Sequence, residues 1–279
     1  MRDLKAAVVC MTSPVGEVER NLDRTEAFVS MAAEGGVDIV CFPELSISGY
    51  TLKDPARLYP PSVSTEIIGR IEALAGSSGL VILAGLIEVR DGEGPYITQV
   101  VAGPEGVLGL YRKTHLSPPE REKYQAGQEI RVFRYREVVF GVQLCYESHF
   151  PEISTLMALQ GAQVLFMPHA SPRGEPKEKR HSWLRHLPGR AFDNALFVVA
   201  CNQVGRTGEG YSFPGVCLAL DPSGRSIGSY DGRRERMLHV TLSGKDLEEV
   251  RTHRMKYFLP NRRPELYGDL GSPFSLSKT

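Results

Sequence analysis

The amino-acid sequence predicts a layered α/β domain, with mixed β-sheets inside and helices outside. Two observations lead there. Apolar runs of strand length alternate with segments of helical period in both halves of the chain. Between residues 80 and 112, and again between 215 and 241, strands follow one another without room for a helix and are joined by Gly-rich turns. Antiparallel hairpins must therefore sit beside parallel strands.

Taken in order, Leu4–Met11 reads as a buried first strand. Asn21–Ala33 follows as a helix, with Leu22, Thr25, Phe28, Val29 and Ala32 on one face and Gly35-Gly36 as its stop. Val37–Cys41 is a short strand that runs into Phe42-Pro43-Glu44-Leu45. Thr65–Ala75 is a second helix. Leu80–Glu88, Tyr96–Ala102 and Val107–Arg112 form a meander that ends in Lys113 and a Pro-containing loop, Ser117 to Gly127. Val138–Leu144 is an apolar strand closed by Cys145, and Pro151, suited to a first helical turn, opens a helix to Leu159. Gln163–Met167 is another buried strand. Glu178–Asn194 is mostly helical, with a break near Pro188-Gly189. Leu196–Cys201 is a strand, and Val204–Phe213 a Gly-rich loop. The strands Gly215–Leu220, Arg225–Tyr230 and Met237–Thr241 come next, then a short polar helix, Lys245–His253. From Tyr257 onward, prolines and a missing period predict a tail laid on the surface or on a neighbouring subunit.

The totals set limits. The chain has 279 residues, 42% hydrophobic and 24% charged, enough for a sizeable core. Its 33 basic and 33 acidic residues cancel to a net charge of +0, which argues against nucleic acid or an anionic membrane as the main partner. Five cysteines, at positions 10, 41, 145, 201 and 217, are an odd number without a C-x-x-C pair, as expected in a reducing compartment. No run approaches the roughly 18 apolar residues of a membrane span. With an N-terminus that lacks an apolar signal region, this predicts a soluble cytoplasmic protein.

Three residues carry the chemistry. Taken singly, each has an ordinary explanation: Glu44 as a surface carboxylate, Lys113 as a solvated strand-end lysine, Cys145 as a small core residue. Together they place a carboxylate, an ammonium and a thiol at the ends of three buried strands, where a rigid sheet positions reactive groups. A cation beside a thiol favours the thiolate. Lys113 and the backbone N–H of Tyr146 are then candidates to bind a tetrahedral oxyanion. Glu44, flanked by apolar residues, is the candidate acid and base, with its pKa raised by burial.

These segments resemble the nitrilase (carbon–nitrogen hydrolase) superfamily, whose members share a Glu-Lys-Cys triad. Phe42-Pro43-Glu44-Leu45 resembles the glutamate motif, Tyr111-Arg112-Lys113-Thr114-His115-Leu116 the lysine motif, and Leu144-Cys145-Tyr146-Glu147 with Phe150-Pro151-Glu152 the cysteine motif. Asn202-Gln203-Val204-Gly205, Asp221-Pro222-Ser223-Gly224 and Arg263-Pro264-Glu265-Leu266-Tyr267 resemble later landmarks, so the similarity covers roughly residues 4–267. It implies a four-layer αββα sandwich with two mixed β-sheets, one domain over residues 1–267 with a tail at 268–279, and pairing of subunits through helices near the active site. It also implies a second glutamate in the loop after the lysine; position favours Glu120, with Glu122 as the rival.

The implied activity is cofactor-free hydrolysis of a small amide or N-carbamoyl compound through a Cys145 thioester. A nitrile hydrolase, or a binding protein on the same fold, is the alternative. Glu147 and His149 stand where many family amidases carry Asp and Arg, which bears on substrate charge. The candidate pocket is Tyr50, Glu147, His149 and His169, with packing as the alternative role for Tyr50 and His169. His181 and His186 lack the spacing and companions of a metal site, so no metal is expected. Lys177–Arg185 reads as a solvated helix face, and Cys10, Cys41, Cys201 and Cys217 as core.

Overall fold

The computed structural model describes residues 1–90, 92–207 and 209–271. The first half of the chain runs β1 (Leu4–Cys10), α1 (Val18–Glu34), β2 (Ile39–Cys41), α2 (Pro55–Leu58), α3 (Pro61–Ser78), β3 (Val81–Arg90), β4 (Glu93–Gly103), β5 (Gly106–Arg112) and α4 (Pro118–Arg121). The second half runs β6 (Val132–Tyr135), β7 (Val138–Val142), a 3-10 turn (Cys145–His149), α5 (Pro151–Leu159), β8 (Val164–His169), α6 (Pro176–Trp183), α7 (Leu187–Asn194) and β9 (Phe197–Asn202). It continues through β10 (Gly205–Arg206), β11 (Ser212–Phe213), β12 (Gly215–Leu220), β13 (Ser226–Gly232), β14 (Arg236–Leu242) and α8 (Gly244–Thr252).

Two six-stranded sheets result, in the orders β14-β1-β2-β3-β4-β5 and β13-β12-β9-β8-β7-β6. Both are mixed on the same plan. Three parallel strands lie inside each, β1-β2-β3 and β7-β8-β9, with antiparallel neighbours on either side. Helices α1 and α3 cover one face of the first sheet, packing Leu22, Val29, Ile67 and Ile71 against Val9, Val40 and Ile82. Its other face meets the second sheet, with β1 against β9 and β12, and α6 and α7 close the far side of that sheet. The layers are therefore α, β, β, α, as the sequence motifs imply. Cys10, Cys41, Cys201 and Cys217 sit fully buried between the sheets, with Cys10 Sγ 3.2 Å from Cys217 Sγ, so the core reading of these four holds.

Several expectations need correction. The break in the 178–194 helix falls at Leu184–His186; Pro188 is the second residue of α7, where its missing N–H costs nothing. The Val204–Phe213 loop contains the small β10/β11 hairpin. Strand β6 and helix α2 are only four residues long, too short to show a period in the sequence. Strand β5 is not a buried core strand: it is the outer edge of its sheet and only partly covered. Of the predicted tail, residues 272–279 lie outside the described residues, and Leu259 to Gly271 consists of short 3-10 turns.

The loops after β2, β5 and β7 are held to a narrow geometry. Leu45 has φ +55° and Cys145 φ +43°, left-handed conformations that non-glycine residues adopt only under the constraint of their surroundings. The Glu44–Leu45 turn lies so close to β3 that a Cβ on Gly85 would come within 2.3 Å of the Leu45 nitrogen. Gly127 plays the same part below Lys113, where a Cβ would meet the Arg112 carbonyl at 2.3 Å.

Glu147 ties two of these loops together. Its Oε1 accepts from Thr114 N–H (2.7 Å), Thr114 Oγ1 (2.6 Å) and Tyr111 OH (3.0 Å), and its Oε2 accepts from Leu144 N–H (2.6 Å). Gln143 supports the 3-10 turn from below, donating to the Glu147 carbonyl at 2.6 Å. Replacing Glu147 by Ala strands several buried donors, each worth about 1–3 kcal/mol when unsatisfied. Urea unfolding of Glu147→Ala should show a loss of at least about 3 kcal/mol, and Glu147→Gln, which keeps one acceptor, a smaller loss. Equal stability of the Ala variant and wild type would refute this role.

Candidate active site

The site is a seam between the sheets. Glu44 follows β2 and Lys113 follows β5, both from the first sheet, while Cys145 follows β7 of the second. Lys113 is fully buried, and its Nζ donates to Glu44 Oε1 at 2.8 Å and to Glu120 Oε1 at 3.0 Å. Glu120 is the fourth residue of a capping box: Ser117 opens α4 and its N–H donates to Glu120 Oε2 at 2.7 Å. One carboxylate thus caps the helix and holds the lysine. Glu122 is exposed, so the choice between the two glutamates falls to Glu120.

Glu44 is also fully buried, and its remaining oxygen accepts from Ala170 N–H at 2.9 Å, just past β8. Gln203 Nε2 donates to the Glu44 backbone carbonyl at 2.8 Å. Neither contact was foreseen: a backbone N–H has no sequence signature, and Gln203 stood out only as part of a family landmark.

The electrostatics follow from burial. Loss of water raises Glu44, Lys113 lowers it and Glu120 raises it again, leaving its carboxyl at about 7. Burial works against the Lys113 ammonium, but Glu44 and Glu120 outweigh it and hold the group well above the usual lysine value. For Cys145, burial and Glu44 push the thiol up, Lys113 pulls it down, and Glu120 adds to the rise; the result lies well above the ordinary thiol value. This reverses the sequence expectation for the resting site. A lone lysine favours a thiolate, but the fold buries Cys145 beside two carboxylates and one ammonium, so the sulfur keeps its proton at rest.

Cys145 begins the 3-10 turn with Tyr146 second, and the first N–H groups of a helical turn have no partner within it. A cavity of about 560 Å³ opens above Cys145. Tyr50, His149 and His169 lie on its wall. Glu147 does not; the carboxylate expected in the pocket is consumed in bracing the loops. His169 stacks on Trp183 with ring centres 4.4 Å apart, and its Nδ1 lies 2.8 Å from the Met167 carbonyl. His149 stacks on His186 at 4.6 Å. Burial lowers all three histidines, His186 to about 4, so they are neutral at pH 7. His181 is exposed and does not join them. Lys179 and Trp183 of α6 also line the cavity, where the sequence suggests a solvated helix face.

The chain matches the family model for carbon-nitrogen hydrolase over residues 5–252. It is 31% identical over 268 residues to an (R)-stereoselective amidase from a Pseudomonas species, covering 95% of this chain and 94% of that protein. It is 29% identical to an N-carbamoylputrescine amidase from Solanum lycopersicum, over 90% of this chain and 89% of that one. Its fold matches a nitrilase-superfamily amidase from Nesterenkonia AN1 with a TM-score of 0.84 at 24% identity, covering 96% of this chain and 97% of that one. In another structure of that amidase, the acetamide moiety of fluoroacetamide is added covalently at the active-site cysteine. With its αββα layers and a family match spanning nearly the whole sequence, the chain belongs to the carbon–nitrogen hydrolase family.

Proposed function

We propose that this protein hydrolyses the C–N bond of a small amide or N-carbamoyl compound through a thioester on Cys145. The observation that carries this reading is the buried Glu44–Lys113–Glu120 cluster beneath a cysteine held at φ +43°. A binding protein has no need to bury an ammonium between two carboxylates, which costs desolvation of all three groups. The acetamide moiety added covalently at the active-site cysteine in a mutant of the Nesterenkonia amidase supports Cys145 as a nucleophile.

The steps follow from the geometry. Ionised Glu44 takes the Sγ proton as sulfur attacks the carbonyl carbon. The tetrahedral oxyanion is stabilised by Lys113 Nζ and the Tyr146 N–H. Glu44 returns the proton to the nitrogen, the C–N bond breaks, and ammonia or an amine leaves. Water then attacks the thioester, Glu44 takes its proton, and the carbon–sulfur bond breaks to release the acid and restore the thiol. A carboxyl with a pKa of about 7 suits a group that must both accept and donate a proton near neutrality. Glu120 keeps Lys113 in place and touches no reacting atom in this scheme.

We also propose that the protein pairs with a second copy of itself. Leu156 and Leu159 on α5 and Phe192 on α7 are exposed on the helical layer beside the Cys145 turn, which supports an interface there.

Cys145→Ala should lose at least about 10⁴-fold in turnover, measured as ammonia or amine release from a panel of small amides and N-carbamoyl compounds. Wild-type rates in that variant would sink the mechanism. Glu44→Gln, which lacks the base for both acylation and deacylation, should lose about 10²- to 10⁴-fold in ammonia or amine release, and a variant as fast as wild type would contradict the role of Glu44. Because Glu44 must be ionised to act and is protonated below its pKa, kcat/KM should rise about tenfold per pH unit up to about 7 and then level. A flat profile between pH 5 and 8 contradicts the assignment of Glu44 as the base. Light scattering should give a mass of at least twice the 30.8 kDa chain, and a one-chain mass refutes the pairing.

A further inference from the structure

Helix α6 carries Lys177, Lys179 and Arg180, and the fold treats them differently. Arg180 Nε pairs with Asp231 Oδ2 at 2.6 Å, and Lys177 is exposed. Lys179 turns inward and lines the cavity that holds Cys145. Its Nζ donates to Ser171 Oγ at 2.7 Å, and no carboxylate among the described residues lies within ion-pair distance of it. Ser171 is itself clamped by the buried Asn202 at the end of β9. Its N–H donates to Asn202 Oδ1 (2.9 Å), and its carbonyl accepts from Asn202 Nδ2 (3.1 Å). A long, flexible side chain has been fixed in place, at an entropic cost that a solvated lysine does not bear.

The charge of the cavity is one-sided. Among the described residues, Glu120 is the only carboxylate that lines it, and it is already engaged by Lys113 and the Ser117 N–H. Arg173, on the loop before α6, adds a second cation to the wall. The histidines there are neutral near pH 7. Burial lowers the Lys179 ammonium, as expected for a charge with too little water and no counter-ion. A ligand carboxylate supplies what is missing: an ionised acceptor for a pre-positioned ammonium, in a half-desolvated wall.

We propose, building on the hydrolase reading above, that the substrate carries a carboxylate beyond its scissile C–N bond and that Lys179, with Arg173, binds it. The substrate class is then the side-chain amide or N-carbamoyl derivative of a short carboxylic or amino acid, in preference to a neutral or cationic amide.

Isosteric pairs test this. Succinamate and butyramide differ only in a carboxylate replacing a methyl group, as do N-carbamoylglycine and ethylurea. Calorimetric titration of the Cys145→Ala protein requires no turnover. Each carboxylate should bind about 10- to 100-fold more tightly than its neutral partner, the range expected for a hydrogen-bonded ion pair. Adding Lys179→Met should remove most of that difference while leaving butyramide and ethylurea within about twofold, and Lys179→Arg should retain most of it. In the otherwise wild-type enzyme, Lys179→Met should raise KM for the carboxylates with little change in kcat. Neutral compounds binding as tightly as the carboxylates, or Lys179→Met weakening both members of a pair alike, would overturn the proposal. A carboxylate preference without any hydrolysis of the panel refutes the hydrolase reading and leaves the carboxylate site standing.

Discussion

Lys113 carries a charge into the seam between two sheets, and that charge is tolerable only because Glu44 and Glu120 both reach its Nζ. Removing an ammonium and two carboxylates from water is costly, and the attraction among them offsets that cost only when the geometry is tight and the remaining oxygens are hydrogen-bonded. Both conditions are met here. Ala170 N–H takes the free oxygen of Glu44, and Ser117 N–H takes that of Glu120. The cluster is still one negative charge in excess. Burial first, with the second carboxylate added to it, raises Glu44 to about 7 and keeps the Cys145 sulfur protonated at rest. Glu44 and Cys145 share one electrostatic environment, so what shifts one shifts the other.

The cluster also explains why two sheets are needed. The first sheet supplies Glu44 and Lys113, with Glu120 following on α4, and the second supplies Cys145, the Ala170 N–H and Gln203. Neither sheet alone holds all of these groups. The tight core between them, including the four buried cysteines, fixes the distance across which they meet. Glu147 performs the same service locally by fastening the loop after β5 to the loop after β7. Two of the five non-glycine residues with positive φ among the described residues, Leu45 and Cys145, lie in the turns after β2 and β7, and the surrounding hydrogen bonds hold them there.

The strand ends that mattered were readable because buried strands are apolar and a charged or thiol residue at the end of such a run breaks the pattern. Glu44 and Cys145 are found this way, Lys113 by its place at the end of the strand meander, and Glu120 by its place in the lysine loop. Glu147 misleads because a glutamate beside a catalytic cysteine looks like a substrate contact; only its four partners reveal a brace. Lys179 misleads in the opposite sense. In a run of alternating charges it is indistinguishable from Lys177 until the helix is docked and one of the two turns inward.

By itself, the sequence determined the alternation of strands and helices, the mixed character of the sheets, and the identity of the carboxylate, ammonium and thiol. All of these are set by local periodicity and by residue chemistry at fixed chain positions. Tertiary structure decided the protonation state of the cysteine, the choice of Glu120 over Glu122, the bracing role of Glu147 and the inward turn of Lys179. Those outcomes depend on burial and on distances between residues far apart in the chain. A pKa or an ion pair is a property of the assembled surroundings, so it exists only once both sheets have packed.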